Sequence, residues 1–113
     1  MKINILLKST RGEFEATGIY DDGKVIVCKG SRINRVTSEK IGGSKTVKAI
    51  RDNNNIVDIN GVLLLDCSFS SPSTAANFVT GRSANGYVAW RVDEKNSLGR
   101  FLGRERKGTK TSY

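Results

Sequence analysis

Apolar and polar positions alternate with period two near the start of the chain, as they do in a strand with one buried face. Ile3 to Lys8 is rich in β-branched and aliphatic residues, and Glu13-Phe14-Glu15-Ala16-Thr17 alternates strictly, with Ser9-Thr10-Arg11-Gly12 as the turn between them. Asp21-Asp22-Gly23 then separates that strand from Lys24-Val25-Ile26-Val27-Cys28-Lys29. Asp-Gly readily takes the positive φ angles of a tight hairpin, so the pattern predicts a three-stranded antiparallel meander. Gly30-Ser31 ends the third strand, and the polar stretch through Gly42-Gly43 reads as a long connection.

The period then lengthens. Ser44 is positioned to cap a short helix from about Lys45 to Asn53, which turns Val47 and Ile50 to one side and spreads Lys45, Lys48 and Arg51 over the rest. The apolar runs Ile56–Ile59 and Val62–Cys67, around Asn60-Gly61, predict another strand pair. Ser71-Pro72 is an N-cap and first-turn pair that opens a helix over Pro72–Thr80, and Gly81 suits its C-terminal stop. Ala75, Ala76, Phe78 and Val79 give that helix an apolar face for packing on a sheet. Tyr87–Val92 reads as a last strand, with Val88, Trp90 and Val92 on one face and Trp90 toward the core. The expected class is therefore α+β: a small antiparallel sheet, the meander plus later strands, with two short helices. Residues 1–102 form one domain in this reading, and 103–113 form a flexible basic tail without periodicity.

Composition sharpens this picture. A chain of 113 residues buries roughly two-thirds of its unfolded surface on folding, enough for one core. The short apolar run at the start lacks a cleavage site, and no stretch reaches the roughly 18–20 apolar residues of a membrane span. A cytoplasmic protein with no membrane partner is expected. Cys28 and Cys67 are then read as two buried, reduced thiols. With no histidine in the chain, the usual general base and the commonest metal ligand are missing. The sequence implies no metal, no other cofactor and no enzymatic activity. Asp21, Asp22, Glu13, Glu15, Asp93 and Glu94 read as solvated surface, and Ser68, Ser70, Ser71 and Ser73 as capping or turn residues. Gly18-Ile19-Tyr20 spells the opening of the GIY-YIG nuclease motif, but no Tyr-Ile-Gly follows at a useful distance.

The formal charge of +8 and a pI near 9.8 favour a polyanionic partner. Arg82, Ser83 and Asn85 supply donors of the kind that contact a phosphate or a base edge, and nearby glycines allow close backbone approach. Ser71 and Ser73, at a helix start, offer hydroxyls and free amides for an anion. Lys45, Lys48 and Arg51 add cations that could grip phosphates, and residues 100–110 add salt-sensitive attraction. Each has a structural alternative. Ser71 caps, Gly81 and Gly86 turn, Arg82 pairs with a carboxylate, Asn85 braces its own loop, and the basic helix face is merely solvated.

The run Phe69-Ser70-Ser71-Pro72-Ser73-Thr74-Ala75-Ala76, followed by Gly81-Arg82-Ser83-Ala84-Asn85-Gly86-Tyr87 and Trp90, resembles the small domain of unknown function numbered 4357. Members carry a similar Ser-Pro-Ser-x-Ala-Ala helix, a Gly-Arg-Ser-x-Asn-Gly loop and a tryptophan-containing strand. Gly30-Ser31, Arg51 and Gly61-Val62-Leu63 also fall where that family has comparable residues, so the resemblance spans roughly residues 12–98. The same motif is similar to the restriction enzyme adenine methylase associated domain. Both resemblances imply a module of restriction-modification or defence systems that handles DNA, in the second case modified duplex. The chain departs from the pattern after Trp90, where Asp93-Glu94-Lys95-Asn96 lacks the usual Asp-Gly turn. It also carries no nuclease or methyltransferase domain, which implies action alone, as an oligomer, or with a protein partner in trans. The alternative function is a protein-interaction module that docks on a nuclease, methyltransferase or toxin.

Overall fold

The structure is a computed structural model that describes residues 2–36 and 44–109, with backbone only for Ser44 and residues 104–109. Its fold is α+β. Four antiparallel strands lie in sequence order, β1 (Lys2–Lys8), β2 (Glu15–Asp21), β3 (Lys24–Val27) and β4 (Cys67–Phe69). Among the described residues there are four helices, α1 (Ser44–Arg51), α2 (Pro72–Thr80), α3 (Gly86–Ala89) and α4 (Leu98–Thr109). The expected meander is present. Asp22 and Gly23 take φ of 49° and 89°, the two positive angles that a two-residue hairpin between β2 and β3 requires.

The alternation of side chains becomes a two-layer molecule. Ile3, Ile5, Leu7, Ala16, Val25, Val27, Cys67 and Phe69 share the inner face of the sheet and are buried. Against them pack Ala75, Ala76, Phe78 and Val79 of α2, with the Phe69 and Phe78 rings 4.9 Å apart. The outer face carries Asn4, Leu6, Thr17, Ile19 and Cys28, which with Val92 line an open depression. Cys67 faces the core and Cys28 the other side, so the sheet keeps the two thiols apart. Burial, and next the neighbouring Asp66, pushes the Cys67 thiol above its ordinary pKa.

Gly18 shows why a strand interior tolerates a glycine. A Cβ there would meet Ile26 O at 3.0 Å and Trp90 Cη2 at 3.4 Å, so the missing side chain leaves room for the fully buried indole.

The second half of the chain departs from the predicted strands. Tyr87–Val92 is not a strand. It begins as the short helix α3, because Asn85 caps Tyr87 N and Trp90 N bonds back to Gly86 O. Only from Trp90 is the backbone extended, and Arg91 then exchanges two 2.8 Å hydrogen bonds with Leu6 at the edge of β1. Trp90 still reaches the core, whereas Val88, expected beside it, is 64% exposed. The strand pair around Asn60-Gly61 is reduced to isolated bridges, Val57 to Leu63 and Arg32 to Val62, with Asp58 Oδ1 accepting from Asn60 N and Val62 N. The end of that run enters the sheet instead, as the start of β4. In α4, the Ser97 hydroxyl accepts from Arg100 N, Leu98 is buried, and Phe101 and Leu102 pack on the core. Helical backbone continues to Thr109, through residues assigned to a tail from composition; residues 110–113 lie outside the described ones, as does the connection over 37–43.

Candidate nucleic-acid interface

The helix start at Ser71 and the loop after Gly81 are one construction. Ser71, in an extended conformation, caps α2 by accepting from Thr74 N at 3.1 Å, and its hydroxyl also meets the Thr74 hydroxyl. At the other end Gly81, with φ 78°, closes the helix by donating to Asn77 O. The chain then returns to the N-terminus of the same helix. Gly86 N donates to Ser73 Oγ at 3.0 Å, and Trp90 Nε1 donates to Pro72 O at 3.1 Å. A Cβ on Gly86 would lie 2.1 Å from the Pro72 carbonyl carbon, so only glycine fits this crossing. Buried Asn77 reaches out from α2 and accepts from Ala84 N at 2.7 Å.

These contacts give several candidate residues structural partners. The Ser71 and Ser73 hydroxyls accept hydrogen bonds that hold the fold together, and the Gly86 backbone lies against Ser73 N at the start of α2. Asn85 braces its loop through its Oδ1 bond to Tyr87 N. Arg51 is also structural. Its guanidinium donates to the carbonyls of Phe78 and Asn34, tying α1 to α2 and to the chain after β3. Burial lowers its pKa from the ordinary value, the effect of desolvating a charge held by neutral carbonyls. Lys45 and Lys48 stand exposed on α1, and Ser83 is exposed in the loop, where it has an interaction partner.

Arg82 has a different setting. Its backbone is fixed by Thr80, whose hydroxyl donates to Arg82 O and accepts from Arg82 N. Its side chain reaches the turn between β1 and β2. Together with Lys8, Ser9, Thr10, Arg11 and Glu13 it lines an open polar depression of about 510 Å³. Three of these side chains are cationic and one is a carboxylate. Arg82 Nη2 lies 3.9 Å from Glu13 Oε1, the two side chains being 60% and 42% exposed, and Lys8 Nζ lies 3.8 Å from Glu15 Oε1. Both pairs are long and solvated, worth about 0–1 kcal/mol each. Ser9 organises the turn, accepting from Arg11 N at 3.1 Å and donating to Glu13 Oε1 at 3.4 Å.

The structure does not join Lys45, Lys48 or Arg51 to Arg82 at this depression. Its partners there are Lys8 and Arg11, which the sequence pattern marks only as the end of a strand and a turn residue. Their spacing from Glu13 gave no pattern, since the β1–β2 hairpin and the loop after α2 meet only in three dimensions. Asn77 lies inside a helix whose sequence pattern is dominated by its apolar face. Among the described residues, no three Cys, Asp or Glu side chains converge as metal ligands, and no helix is long and apolar enough to cross a membrane.

A two-layer α+β domain, with one clasped helix–loop unit and a cationic depression beside it, is the class that fold and site define. The chain belongs to the family described as Domain of unknown function (DUF4357), whose family model matches residues 6–101. That match takes in the whole sheet beyond the start of β1, the clasp and the depression. No curated protein matches the chain, and no solved structure does.

Proposed function

We propose that the protein is a non-catalytic DNA-binding accessory module of a restriction-modification or defence-type system, working in the cytoplasm on duplex DNA. The observation that carries this reading is the cationic depression between the β1–β2 turn and the loop after α2. Arg82 presents a planar fork of donors on a rigid loop, Lys8 and Arg11 add charge, and Ser9 and Thr10 add hydroxyls. The net charge of +8 supplies long-range attraction to the same polyanion. The resemblance to modules of restriction-modification systems points the same way. Five of the acidic groups have structural assignments: Asp58 and Asp93 organise turns, Asp66 accepts from Lys29 N, and Glu13 and Glu15 form ion pairs.

The test is a fluorescence-anisotropy titration of labelled duplex, methylated and unmethylated, at about 50 and 200 mM salt. A protein gripping several phosphates weakens by orders of magnitude across that range. Binding that is absent, or indifferent to salt, sinks the reading.

A second reading is favoured by the open outer face of the sheet, where Leu6 is 41% exposed and sits beside Ile19, Cys28 and Val92. In that reading the module docks through this apolar face on a nuclease, methyltransferase or toxin. Such docking is insensitive to salt and is lost on Leu6→Lys.

A further inference from the structure

Among the described residues that line the depression, one, Glu13, is a carboxylate. Glu13 Oε1 is shared by Arg82 Nη2 at 3.9 Å and Ser9 Oγ at 3.4 Å, one distance beyond hydrogen-bonding range and the other at its limit. The arrangement is loose on every side. Arg82 and Glu13 are both largely in water, so no desolvation locks the pair. The turn that presents the other donors is firm: Gly12 takes φ 74° and donates to Ser9 O at 3.2 Å, and Arg11 N is held on Ser9 Oγ. A turn of ordered backbone thus presents cations around a weakly held anion.

We propose that Lys8, Ser9, Thr10, Arg11 and Arg82 form a phosphodiester-binding site, with Glu13 as a built-in competitor displaced from Arg82 when a nucleic-acid phosphate enters. The inference rests on the nucleic-acid reading above and adds to it a specific site and a guard residue. A phosphate offers Arg82 two oxygens for bidentate bonding, which the single distant carboxylate oxygen does not. Ser9 exchanges its weak bond to Glu13 for one to the same phosphate. Displacing the guard costs every anion the same, so the preference among anions comes from the charge around the site. A lone anion must displace Glu13 by itself, whereas a backbone phosphate is delivered by its neighbours and by the long-range charge. The guard therefore lowers affinity for all anions while leaving polyphosphodiesters as the preferred ligand class.

The test is a double-mutant cycle on the full chain, with labelled DNA and RNA duplexes of one sequence titrated at low and physiological salt. Glu13→Gln keeps shape and removes the charge, and the expected result is roughly two- to fivefold tighter binding, the size of a released surface ion pair. Arg82→Ala is expected to weaken binding and to reduce the salt slope by about one phosphate contact. In the Arg82→Ala background the Glu13→Gln gain should vanish. Asp22→Asn removes one negative charge in the turn beyond the far end of β2, about 25–30 Å away, beyond the screening length at physiological salt, and should give no gain there. Unfolding midpoints of all variants confirm that each is folded. A gain that survives Arg82→Ala, or that Asp22→Asn matches, would show a general charge effect and overturn the guard while leaving nucleic-acid binding intact. Failure of the parent protein to bind either duplex would overturn both. Equal binding of DNA and RNA assigns the site to the shared backbone, and binding of one alone identifies the source.

Discussion

Gly86 carries more of this structure than its size suggests, because the loop after α2 crosses the start of that helix at backbone contact. Gly86→Ala places a methyl group 2.1 Å from the Pro72 carbonyl carbon, with backbone on both sides and no flexible side chain to yield. The expected loss of stability is about 3 kcal/mol, the upper end of overpacking effects, measured by urea unfolding. A change below about 0.5 kcal/mol, the size of a surface substitution, would mean that the crossing is not tight. Cys67 gives a pH-dependent counterpart. Its folded pKa is raised above the ordinary 9.0, so in the pH range between the two values the unfolded chain has lost a proton that the fold retains. Stability from this group is complete below the unfolded pKa and falls as pH rises through the folded one. Wild type should therefore lose more stability than Cys67→Ala between pH of about 8 and 10, and parallel curves would contradict the burial assigned to the thiol. Single residues were also the most legible level of the sequence. Ser71, Pro72 and Gly81 mark the ends of α2 by chemistry that depends on neighbours in the chain, and each stands where that chemistry requires.

Elements were legible where their signals are local and illegible where a contact from elsewhere decides. The β1–β3 meander and α2 follow from alternation, Asp22-Gly23 and caps. Tyr87–Val92 has the composition of a strand, yet Asn85 and the Gly86 crossing wind its first half into α3. The Asn85 cap is local, but the Gly86 crossing is made with the start of α2, about a dozen positions earlier, outside any local window. In α4 the signal is local: Ser97 followed by Leu98, Phe101 and Leu102 is an N-cap with an apolar stripe at helical spacing. The α1 helix separates two kinds of cation on one element. Arg51→Ala removes the tie to Phe78 O and Asn34 O, leaving two carbonyls without their donor, and should destabilise by about 1–3 kcal/mol. Lys48→Ala, at an exposed position, should stay within about 0.5 kcal/mol. Equal effects in thermal or urea unfolding would remove the distinction between brace and surface charge.

At the scale of the whole molecule, the net charge of +8 favours polyanions without marking a place for one on the surface. Of the residues singled out for that role, Ser71, Ser73, Asn85 and Arg51 are engaged in holding the fold, Lys45 and Lys48 stand apart on α1, and Arg82 stands in a cationic depression. Lys8 and Arg11 join it only because the β1–β2 hairpin is long enough to bring its turn beside the end of α2. Charge is thus spread over the surface, and three cationic side chains gather at one depression. Under the proposed function, nonspecific attraction follows the total charge and the depression sets the position of the bound backbone.

The most direct test is a map of backbone amide shifts in 15N-labelled protein during titration with a short duplex at physiological salt. The account predicts that the largest saturable shifts cluster over Lys8–Glu13 and Gly81–Ala84, with the clasp at Ser71–Ser73 and the exposed face of α1 little moved. Shifts centred instead on Lys45 and Lys48, or on Leu6, Ile19 and Cys28 of the outer sheet face, or no saturable shifts at all, would contradict it.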